Sequence, residues 1–227
     1  MAVVLPRLYH EERLFARGAP IVIGCDEVGR GAIAGPVTVG VVAVRAGVAS
    51  WPDGLRDSKL LAEPKREQLA PRVAEWAAGA WAIGEASAEE VDRVGIVRAL
   101  GLAGSRAIGI LCEALADAGS GTVLLDGSHD WLTPALGRPL AVEVRPKADR
   151  DCVSVAAASV LAKVHRDRFM RRAHEESPDY GWDSNKGYGS AAHRAAIDRV
   201  GPSPLHRISW LGAEPLPIPG DDPQFAA

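Results

Sequence analysis

The sequence predicts an α/β domain that is built around a mixed β-sheet and ends in a small helical subdomain. Two β-branched runs come first, and the turn between them is too short to hold a helix, which is the pattern of a hairpin. Strand-sized apolar runs then alternate with segments of helical periodicity, as expected for strands that are joined by crossovers. After residue 172 the chain keeps helical patterns and has no strand-sized run. Together these observations predict a mixed sheet flanked by helices.

The first half of the chain begins with the hairpin, at residues 21–27 and 37–44, where valine and isoleucine dominate. A helix is predicted over 60–78, with Pro64 in its first turn, where a missing N–H costs nothing. A short strand follows at 81–85.

The second half begins with helical periodicity over 96–118, which stops at Gly119. Buried-type strands are predicted at 123–126 and 140–144. The longest predicted helix covers 151–176, a final helix covers 190–200, and a helical turn is expected near 204–207. One apolar face of the longest helix is formed by Val153, Ala157, Val160, Leu161 and Val164.

Composition excludes several classes of protein. The chain has 227 residues, 47% of them hydrophobic and 24% charged, which is the profile of a globular domain and not of a disordered or fibrous chain. No apolar run reaches the ~18 residues that a membrane span needs, and the N-terminus has no signal-peptide pattern. Three widely spaced cysteines exclude a disulfide framework and a Cys-x-x-Cys zinc site. We therefore expect a cytoplasmic protein with no membrane association.

Charge gives only a weak indication of a nucleic-acid partner. The net charge is −3, and the Pro-rich segment 213–227 accounts for all of it with Glu214, Asp221 and Asp222. Between Lys147 and Glu175, seven basic residues face four acidic ones, a local excess of positive charge.

A glycine-rich turn after the first strand raises the possibility of a dinucleotide site, which the sequence excludes. Gly29, Gly31 and Gly35 are one residue too widely spaced for that fingerprint. Pro36 and a β-branched run follow, so there is no helix N-terminus to receive a pyrophosphate.

Four carboxylates at or near strand ends form a better candidate site. Asp26 and Glu27 close one strand, Asp126 closes another, and Asp149 precedes the longest helix. Clustered acids repel one another unless a cation lies between them, and oxygen-only ligands suit Mg²⁺ or Mn²⁺. Two such ions about 4 Å apart suit an in-line phosphoryl displacement.

Structural alternatives exist for each acid: Asp126-Gly127 is an ordinary turn pair, and Asp149 or Asp151 would serve as a helix cap. Adjacent side chains on a strand also point to opposite faces, so Asp26 and Glu27 share an ion only if the strand end bends.

Five sequence blocks resemble the ribonuclease HII family, in that family's order. They are GCDEVGRGAIAGPVTVGVV at 24–42, DSK at 57–59, LLDGS at 124–128, KAD with SVAAASVLAKVHRD within 147–167, and NKGYGS with His193. The resemblance implies a ribonuclease-H-like fold and a divalent-metal endoribonuclease. Its implied substrates are RNA–DNA hybrids and single ribonucleotides embedded in duplex DNA. Cleavage 5′ of the ribonucleotide would leave a 3′-hydroxyl and a 5′-phosphate.

The same resemblance implies roles for individual residues. The family's metal ligands match Asp26, Glu27, Asp126 and Asp149, which would hold two Mg²⁺ or Mn²⁺ ions. Asp151 is interpreted as a helix cap. The family pattern departs from this sequence at Ser128, where asparagine is common, and at HRISW, residues 206–210, where an HRRSF-like segment is common.

Substrate contacts are also implied by the resemblance. The Gly29-Arg30-Gly31 turn is expected to lie against the ribose, because glycine allows close backbone approach and the 2′-hydroxyl separates RNA from DNA. Tyr188 matches a family tyrosine that stacks near the RNA–DNA junction. The candidate phosphate contacts are Lys59, Lys186, Arg166 and Arg168.

The expected organisation is one ribonuclease HII domain over 1–212, with a core at about 19–172 and a helical subdomain at about 173–212, followed by a tail at 213–227. We expect a monomer whose tail is a candidate site for a weak protein partner. Two alternatives remain: a hybrid-binding module without turnover, and another metal nuclease of the same fold, such as a 3′–5′ exonuclease or a resolvase.

Overall fold

A five-stranded mixed sheet lies at the centre of the computed structural model, which describes residues 4–212. Its strands lie in the order β3-β2-β1-β4-β5. The β2 strand runs antiparallel to both β1 and β3, whereas β4 runs parallel to β1 and β5 runs parallel to β4. The strands are β1 (Val22–Val28), β2 (Val37–Val44), β3 (Trp81–Ala86), β4 (Thr122–Asp126) and β5 (Ala141–Arg145).

Helices cover both faces of this sheet, as the sequence predicts. In chain order they are α1 (Tyr9–Ala16), α2 (Glu63–Trp76), α3 (Ala88–Val94), α4 (Ile96–Ala114), α5 (Ala148–Asp151), α6 (Val153–Glu176), α7 (Trp182–Asn185) and α8 (Ala191–Val200).

Alternating side chains of the strands build two apolar layers. Ile23 and Cys25 of β1 pack with α4, and Val22 of the same strand packs with α6. The α6 helix lies directly on the sheet at Gly24, where an added Cβ would come within 2.2 Å of the Ser154 backbone. Any larger residue at this position would push α6 away from the end of β1 that carries Asp26.

The prediction of a mixed sheet flanked by helices is confirmed, and all five strands lie within one or two residues of their predicted bounds. Pro64 stands in the first turn of α2, as predicted, but this helix begins at Glu63 because residues 58–60 form a separate 3₁₀ turn. The α4 helix ends at Ala114, four residues early.

Three helices were not predicted from the sequence: α1, α3 and the one-turn helix α7. The α1 helix has a single buried apolar side chain, Leu14, so its periodicity is weak. The α3 helix begins with a capping box, in which Ser87 and Glu90 satisfy each other's backbone N–H groups. That Ser-x-x-Glu signal stands in the sequence and would have identified α3.

The interpretation of Asp151 as a helix cap is wrong. The predicted helix over 151–176 is divided into α5 and α6, and α6 has Cys152 at its N-cap position without a side-chain cap. The Asp151 carboxylate accepts hydrogen bonds from Arg145 at 2.9 Å and Arg150 at 2.7 Å. The last helical turn lies at Ile208–Leu211, later than predicted.

In the described part of the chain, no helix has both the length and the apolar character needed to cross a bilayer. The tail over 213–227 lies outside the described residues.

Candidate active site

Asp26 and Asp126 stand side by side at the carboxyl ends of the two central parallel strands. The β1–β4 pairing ends at Cys25 and Leu125, so both aspartates lie just past the last pair. Both belong to the sheet face that α6 covers, since side chains alternate along a strand. The Asp26 side chain is buried, and its Oδ1 accepts the Glu27 N–H at 2.8 Å.

Glu27 reaches the same end of the sheet from the opposite strand face. The sequence predicts that Asp26 and Glu27 can share an ion only if the end of β1 bends. The β1–β2 register stays regular through Val28 and Thr38, so no bend interrupts this strand pairing. The Glu27 carboxylate lies 3.8 Å from the Arg30 guanidinium and keeps 17% of its surface exposed.

Asp149 joins the two strand ends through the short helix α5. The N–H groups of Ala148 and Asp149 both donate to Asp126 Oδ1, at 2.7 and 3.3 Å. Lys59 reaches Asp149 from the loop before α2, with Nζ 2.9 Å from Oδ2. The side chains of Asp26, Glu27, Asp126 and Asp149, hereafter the acidic pocket, thus come from three separate segments.

Burial and mutual repulsion raise the pKa values of three of these acids. Burial first, and then the charges of Glu27 and Asp126, hold the pKa of Asp26 well above its usual range. Burial and the Asp126 charge raise the pKa of Glu27 to about 7, against the effect of Arg30. Burial and Asp149 raise the pKa of Asp126. Such a pocket is unfavourable without a cation, which is typical of a functional site.

Lys59 is the cation that lies nearest to the pocket. Burial disfavours its charged form, but the hydrogen bond to Asp149 and the Asp26 charge outweigh this and raise its pKa. Its predicted role as a phosphate contact stays a prediction, and the structure adds that its ammonium already binds a pocket carboxylate.

The donor set of the pocket consists of carboxylate oxygens alone, which suits a hard divalent ion. As they stand, no three carboxylate, imidazole or thiol side chains within residues 4–212 converge closely enough to ligate one ion. Asp126 is turned towards backbone N–H groups and Asp149 towards Lys59, so these side chains would have to turn to complete a ligand shell.

The Gly29-Arg30-Gly31 turn follows β1 directly and borders the pocket. Gly29 has φ of +83°, and a Cβ there would come within 2.1 Å of the Arg166 side chain, so only glycine fits. Arg30 and Gly31 are exposed. The predicted ribose-contacting turn therefore has an open surface beside the four acids.

The prediction that Arg166 contacts phosphate is wrong. Its side chain is fully buried and donates to three backbone carbonyls, those of Ala34, Pro36 and Lys186, at 2.8–2.9 Å. A guanidinium occupied in this way has no exposed donor for a substrate.

The other predicted phosphate contacts have protein partners. Lys186 is 7% exposed, and its Nζ donates to the Asp183 carbonyl and lies 3.4 Å from Glu63. The exposed Arg168 binds Glu67.

Tyr188 is 39% exposed, and its ring lies 5.7 Å from the Arg166 guanidinium carbon. Its carbonyl accepts a hydrogen bond from His193 Nδ1 at 2.9 Å. Behind it is a set of ring side chains that the sequence reasoning missed, hereafter the histidine–aromatic cluster: Tyr180, Trp182, His193 and His206.

Comparison with known proteins identifies the family of the chain. The family model described as Ribonuclease HII matches residues 23–213, which include all four acids and the Tyr188 loop. The chain belongs to the ribonuclease HII family. Ribonuclease HII of Streptomyces avermitilis is 46% identical over 200 residues, covering 88% of this chain and 81% of that protein. Ribonuclease HII of Syntrophotalea carbinolica is 43% identical, covering 90% and 92%.

Solved structures of ribonucleases HII and HIII share the fold. The ribonuclease HII in the PCNA complex from Archaeoglobus fulgidus matches with a TM-score of 0.61 and 26% identity, over 84% of this chain and 95% of that one. Bst-RNase HIII in complex with Mn²⁺ matches with a TM-score of 0.69 and 25% identity, over 88% and 69%. The predicted ribonuclease-H-like fold is confirmed, and as a member of this family the protein is an endoribonuclease that acts on RNA–DNA hybrids.

Proposed function

We propose that this endoribonuclease also cuts duplex DNA on the 5′ side of a single embedded ribonucleotide, leaving a 3′-hydroxyl and a 5′-phosphate. The proposal includes two Mg²⁺ or Mn²⁺ ions held by the acidic pocket. The observation that carries it is that β1, β4 and α5 bring four carboxylates to one end of the sheet, beside an exposed glycine turn.

The acidic pocket has the chemistry of a divalent-metal site. It offers only oxygen ligands. Burial and mutual repulsion disfavour the ionised carboxylates of Asp26 and Glu27, and a bound cation would offset both effects. Bound divalent ions would polarise the scissile phosphate and lower the pKa of an attacking water. In our assignment Asp26 would contribute to holding both ions, Glu27 and Asp126 would hold one, and Asp149 would help to hold the other.

Several groups of the chain prepare these acids. The Ala148 and Asp149 N–H groups orient the Asp126 carboxylate, and Lys59 holds Asp149 with its charge partly neutralised. The burial of Asp26 between the sheet and α6 limits the water around it, which strengthens its attraction for a cation.

Substrate selection is assigned to the surface beside the pocket. The open turn at Arg30 and Gly31 allows a ribose to approach the backbone closely, so that backbone groups can meet a 2′-hydroxyl. The exposed ring of Tyr188 is available to stack on the next nucleotide, where it would favour a deoxyribose.

End-mapping of a single cut tests this function. A duplex with one internal ribonucleotide, labelled separately at each end of that strand, is incubated with the enzyme and Mg²⁺ or Mn²⁺. We expect one product with a 3′-hydroxyl that ends just before the ribonucleotide and one with a 5′-phosphate that begins with it, and no product in EDTA.

Other outcomes identify the alternatives. Stepwise shortening from a strand end would indicate an exonuclease, and cutting of branched DNA without a ribonucleotide would indicate a resolvase. Binding of the duplex without any product would indicate a module that has lost turnover.

A further inference from the structure

Two arginine side chains lie fully buried behind the Gly29-Arg30-Gly31 turn, at Arg166 and Arg207. Neither guanidinium has a carboxylate within 4.0 Å among the described residues; both donate to backbone carbonyls. Burying two unpaired cations near each other is costly, so an arrangement of this kind needs a reason beyond packing.

Arg207 organises the turn directly. Its guanidinium donates to the carbonyls of Gly29 at 2.7 Å, Arg30 at 3.0 Å and Gly35 at 3.1 Å. The centre of the Trp210 ring lies 4.9 Å from the guanidinium carbon, so the ring covers one face of the guanidinium and restrains its orientation. Arg207 therefore holds three carbonyls within residues 29–35 towards the protein interior.

The N–H groups of the same turn have the opposite arrangement. In the described chain, those of residues 29, 30 and 31 have no hydrogen-bond partner, whereas those of Ala32, Ile33, Ala34 and Gly35 all donate to backbone carbonyls. An N–H group needs a partner or water, and Arg30 and Gly31 are exposed. The turn is thus polarised: Arg207 holds the carbonyls of Gly29 and Arg30 inside, and the unpartnered N–H groups of the exposed residues Arg30 and Gly31 lie at the surface.

Arg166 attaches the neighbouring loop to the same structure. It links the carbonyls of Ala34 and Pro36 to that of Lys186, two residues before Tyr188. The N–H groups of Ile33 and Ala34 also donate to the Gly187 carbonyl, at 2.9 and 3.1 Å. Arg166 therefore fixes the spacing between the two loops. Of the two arginines, only Arg207 donates to the carbonyls of Gly29 and Arg30, and the Gly29 carbonyl also accepts the Ala32 N–H at 3.2 Å.

We propose that Arg207 is a positioning residue for ribonucleotide recognition: its guanidinium holds the carbonyls of Gly29, Arg30 and Gly35 inward and so presents the N–H groups of Arg30 and Gly31 to the sugar. The inference rests on the proposed function, in which this turn meets the ribose. It adds that the selectivity of the turn depends on a buried side chain that never touches the substrate.

The chemistry of arginine explains why lysine would not replace it. The guanidinium offers five N–H donors in a rigid planar fork, so that one side chain can hold several separate carbonyls. An ammonium of the same charge is a single point and cannot hold three carbonyls in this geometry. Arg207→Lys therefore keeps the buried charge and removes the fork.

Equilibrium binding in EDTA tests the proposal without any cleavage. The affinity of each variant is measured by fluorescence anisotropy for two duplexes of one sequence, with and without a single ribonucleotide. We expect Arg207→Lys to lose about tenfold of the wild-type preference for the ribonucleotide, the value of a positioned hydrogen bond, with its affinity for the all-DNA duplex unchanged. The matched control is Arg199→Lys, an exposed arginine paired with Asp179, which should change neither affinity.

An Arg207→Lys protein that keeps the wild-type preference overturns the proposal. Equal weakening for both duplexes, together with a lower melting temperature, also overturns it, because that is the effect of a merely structural residue. Should Arg207→Lys not fold, Arg207→Gln takes its place, since it keeps two donors without a charge.

Amide hydrogen exchange of the wild-type protein gives an independent readout. The N–H groups of Arg30 and Gly31 should exchange rapidly in the free protein and become protected by the ribonucleotide duplex but not by the all-DNA duplex. Slow exchange in the free protein would overturn the inference, because the donors would then not be presented. A wild type with no cleavage at the ribonucleotide would refute the proposed function instead, so the two failures are distinguishable.

Discussion

The acidic pocket and the histidine–aromatic cluster both bury titratable side chains, yet they treat them in opposite ways. In the pocket the acids lie near one another, and the pKa values of Asp26, Glu27 and Asp126 rise because the carboxylates are buried and repel one another. In the cluster the two imidazoles are neutral and each ring nitrogen has a partner.

Hydrogen bonding in the cluster fixes the tautomers of both histidines. His193 Nδ1 must carry a proton for the Tyr188 carbonyl, so Nε2 accepts from the Trp182 indole N–H at 3.0 Å. His206 accepts the Ser203 N–H at Nδ1, so its proton is on Nε2, which shares the single lone pair of His193 Nε2 with the Trp182 indole N–H. Burial, and then His193, lower the pKa of His206 to about 4.

The difference shows where the fold is stabilised and where it is strained. A satisfied polar network stabilises the C-terminal helices, whereas an unsatisfied one stores repulsion that a ligand can relieve. Substitutions in the cluster should therefore lower stability first, and substitutions in the pocket should lower activity first.

The largest expected effect is that of Asp26→Asn on cleavage. The amide keeps the shape of the side chain and removes one ligand charge, so the cleavage rate should fall on the order of 1,000-fold, equivalent to several kcal/mol. The rate is measured on a duplex with one ribonucleotide, with circular dichroism as the test of folding. Asp151→Asn, whose carboxylate binds Arg145 and Arg150, is the matched control and should remain active. Near-normal cleavage by Asp26→Asn would remove the pocket from the mechanism.

Next in size is the effect of Trp182→Ala on stability. Trp182 is fully buried and stacks on Tyr180 with ring centres 4.8 Å apart, so truncation should lower the free energy of unfolding by about 3–5 kcal/mol. Urea denaturation measures this loss. Trp182→Phe keeps most of the apolar volume and should cost clearly less. If Trp182→Ala abolished cleavage without lowering stability, the assignment of a stabilising role to the histidine–aromatic cluster would be wrong.

The response to pH should have opposite signs in the two regions. His206 has a folded-state pKa of about 4 against about 6.5 when unfolded, so the unfolded state binds its proton first. Its contribution to stability is complete above pH 6.5 and is lost as pH falls towards 4, up to ~3 kcal/mol. Melting temperatures across this range, compared with those of His206→Gln, test the sign. A variant as acid-sensitive as the wild type would contradict it.

Glu27 should behave in the reverse sense in metal-free buffer. Its folded-state pKa is about 7 against about 4.5 unfolded, so its ionisation destabilises the fold fully above pH 7 and not at all below pH 4.5. Glu27→Gln should therefore raise the melting temperature at pH 8 in EDTA and leave it unchanged at pH 4.5. Stabilisation by about 2–3 kcal/mol is expected. A destabilised variant at pH 8 would show that Glu27 is satisfied in the free protein.

The smallest expected effect is that of Tyr188→Ala on the single-ribonucleotide substrate. Loss of a stacking ring is worth ~1–3 kcal/mol, so catalytic efficiency should fall roughly 10-fold, with stability little changed because the ring is part-exposed. Tyr188→Phe should retain most activity, and Tyr9→Ala, at an exposed tyrosine of α1, is the control. An unchanged rate for Tyr188→Ala would assign the ring a structural role.

Local sequence signals were sufficient for much of the fold. Valine-rich runs identify β1 and β2, and apolar periodicity identifies α4 and most of α6, because each pattern reflects a face that must be buried. The boundary between α5 and α6 was missed, since the chain on both sides of Cys152 favours a helix and only packing decides where it is interrupted.

The same distinction between local sequence signals and tertiary packing applies to the candidate site. Acids at strand ends are visible in the sequence, and family resemblance selected four of them. The roles of Arg166 and Arg207 were not visible in the sequence, because a basic side chain is usually exposed and most of their carbonyl partners are more than 100 residues away.

By itself the sequence determined the strands, the main helices, the family and the four acids, since those depend on patterns within a few neighbouring residues. The tertiary structure decided that Asp126 is oriented by α5, that Lys59 binds Asp149, and that two buried arginines, Arg166 and Arg207, bind backbone carbonyls within residues 29–36. The physical reason is that burial and long-range hydrogen bonding depend on which distant segments meet, and that is settled only when the sheet and its helices pack.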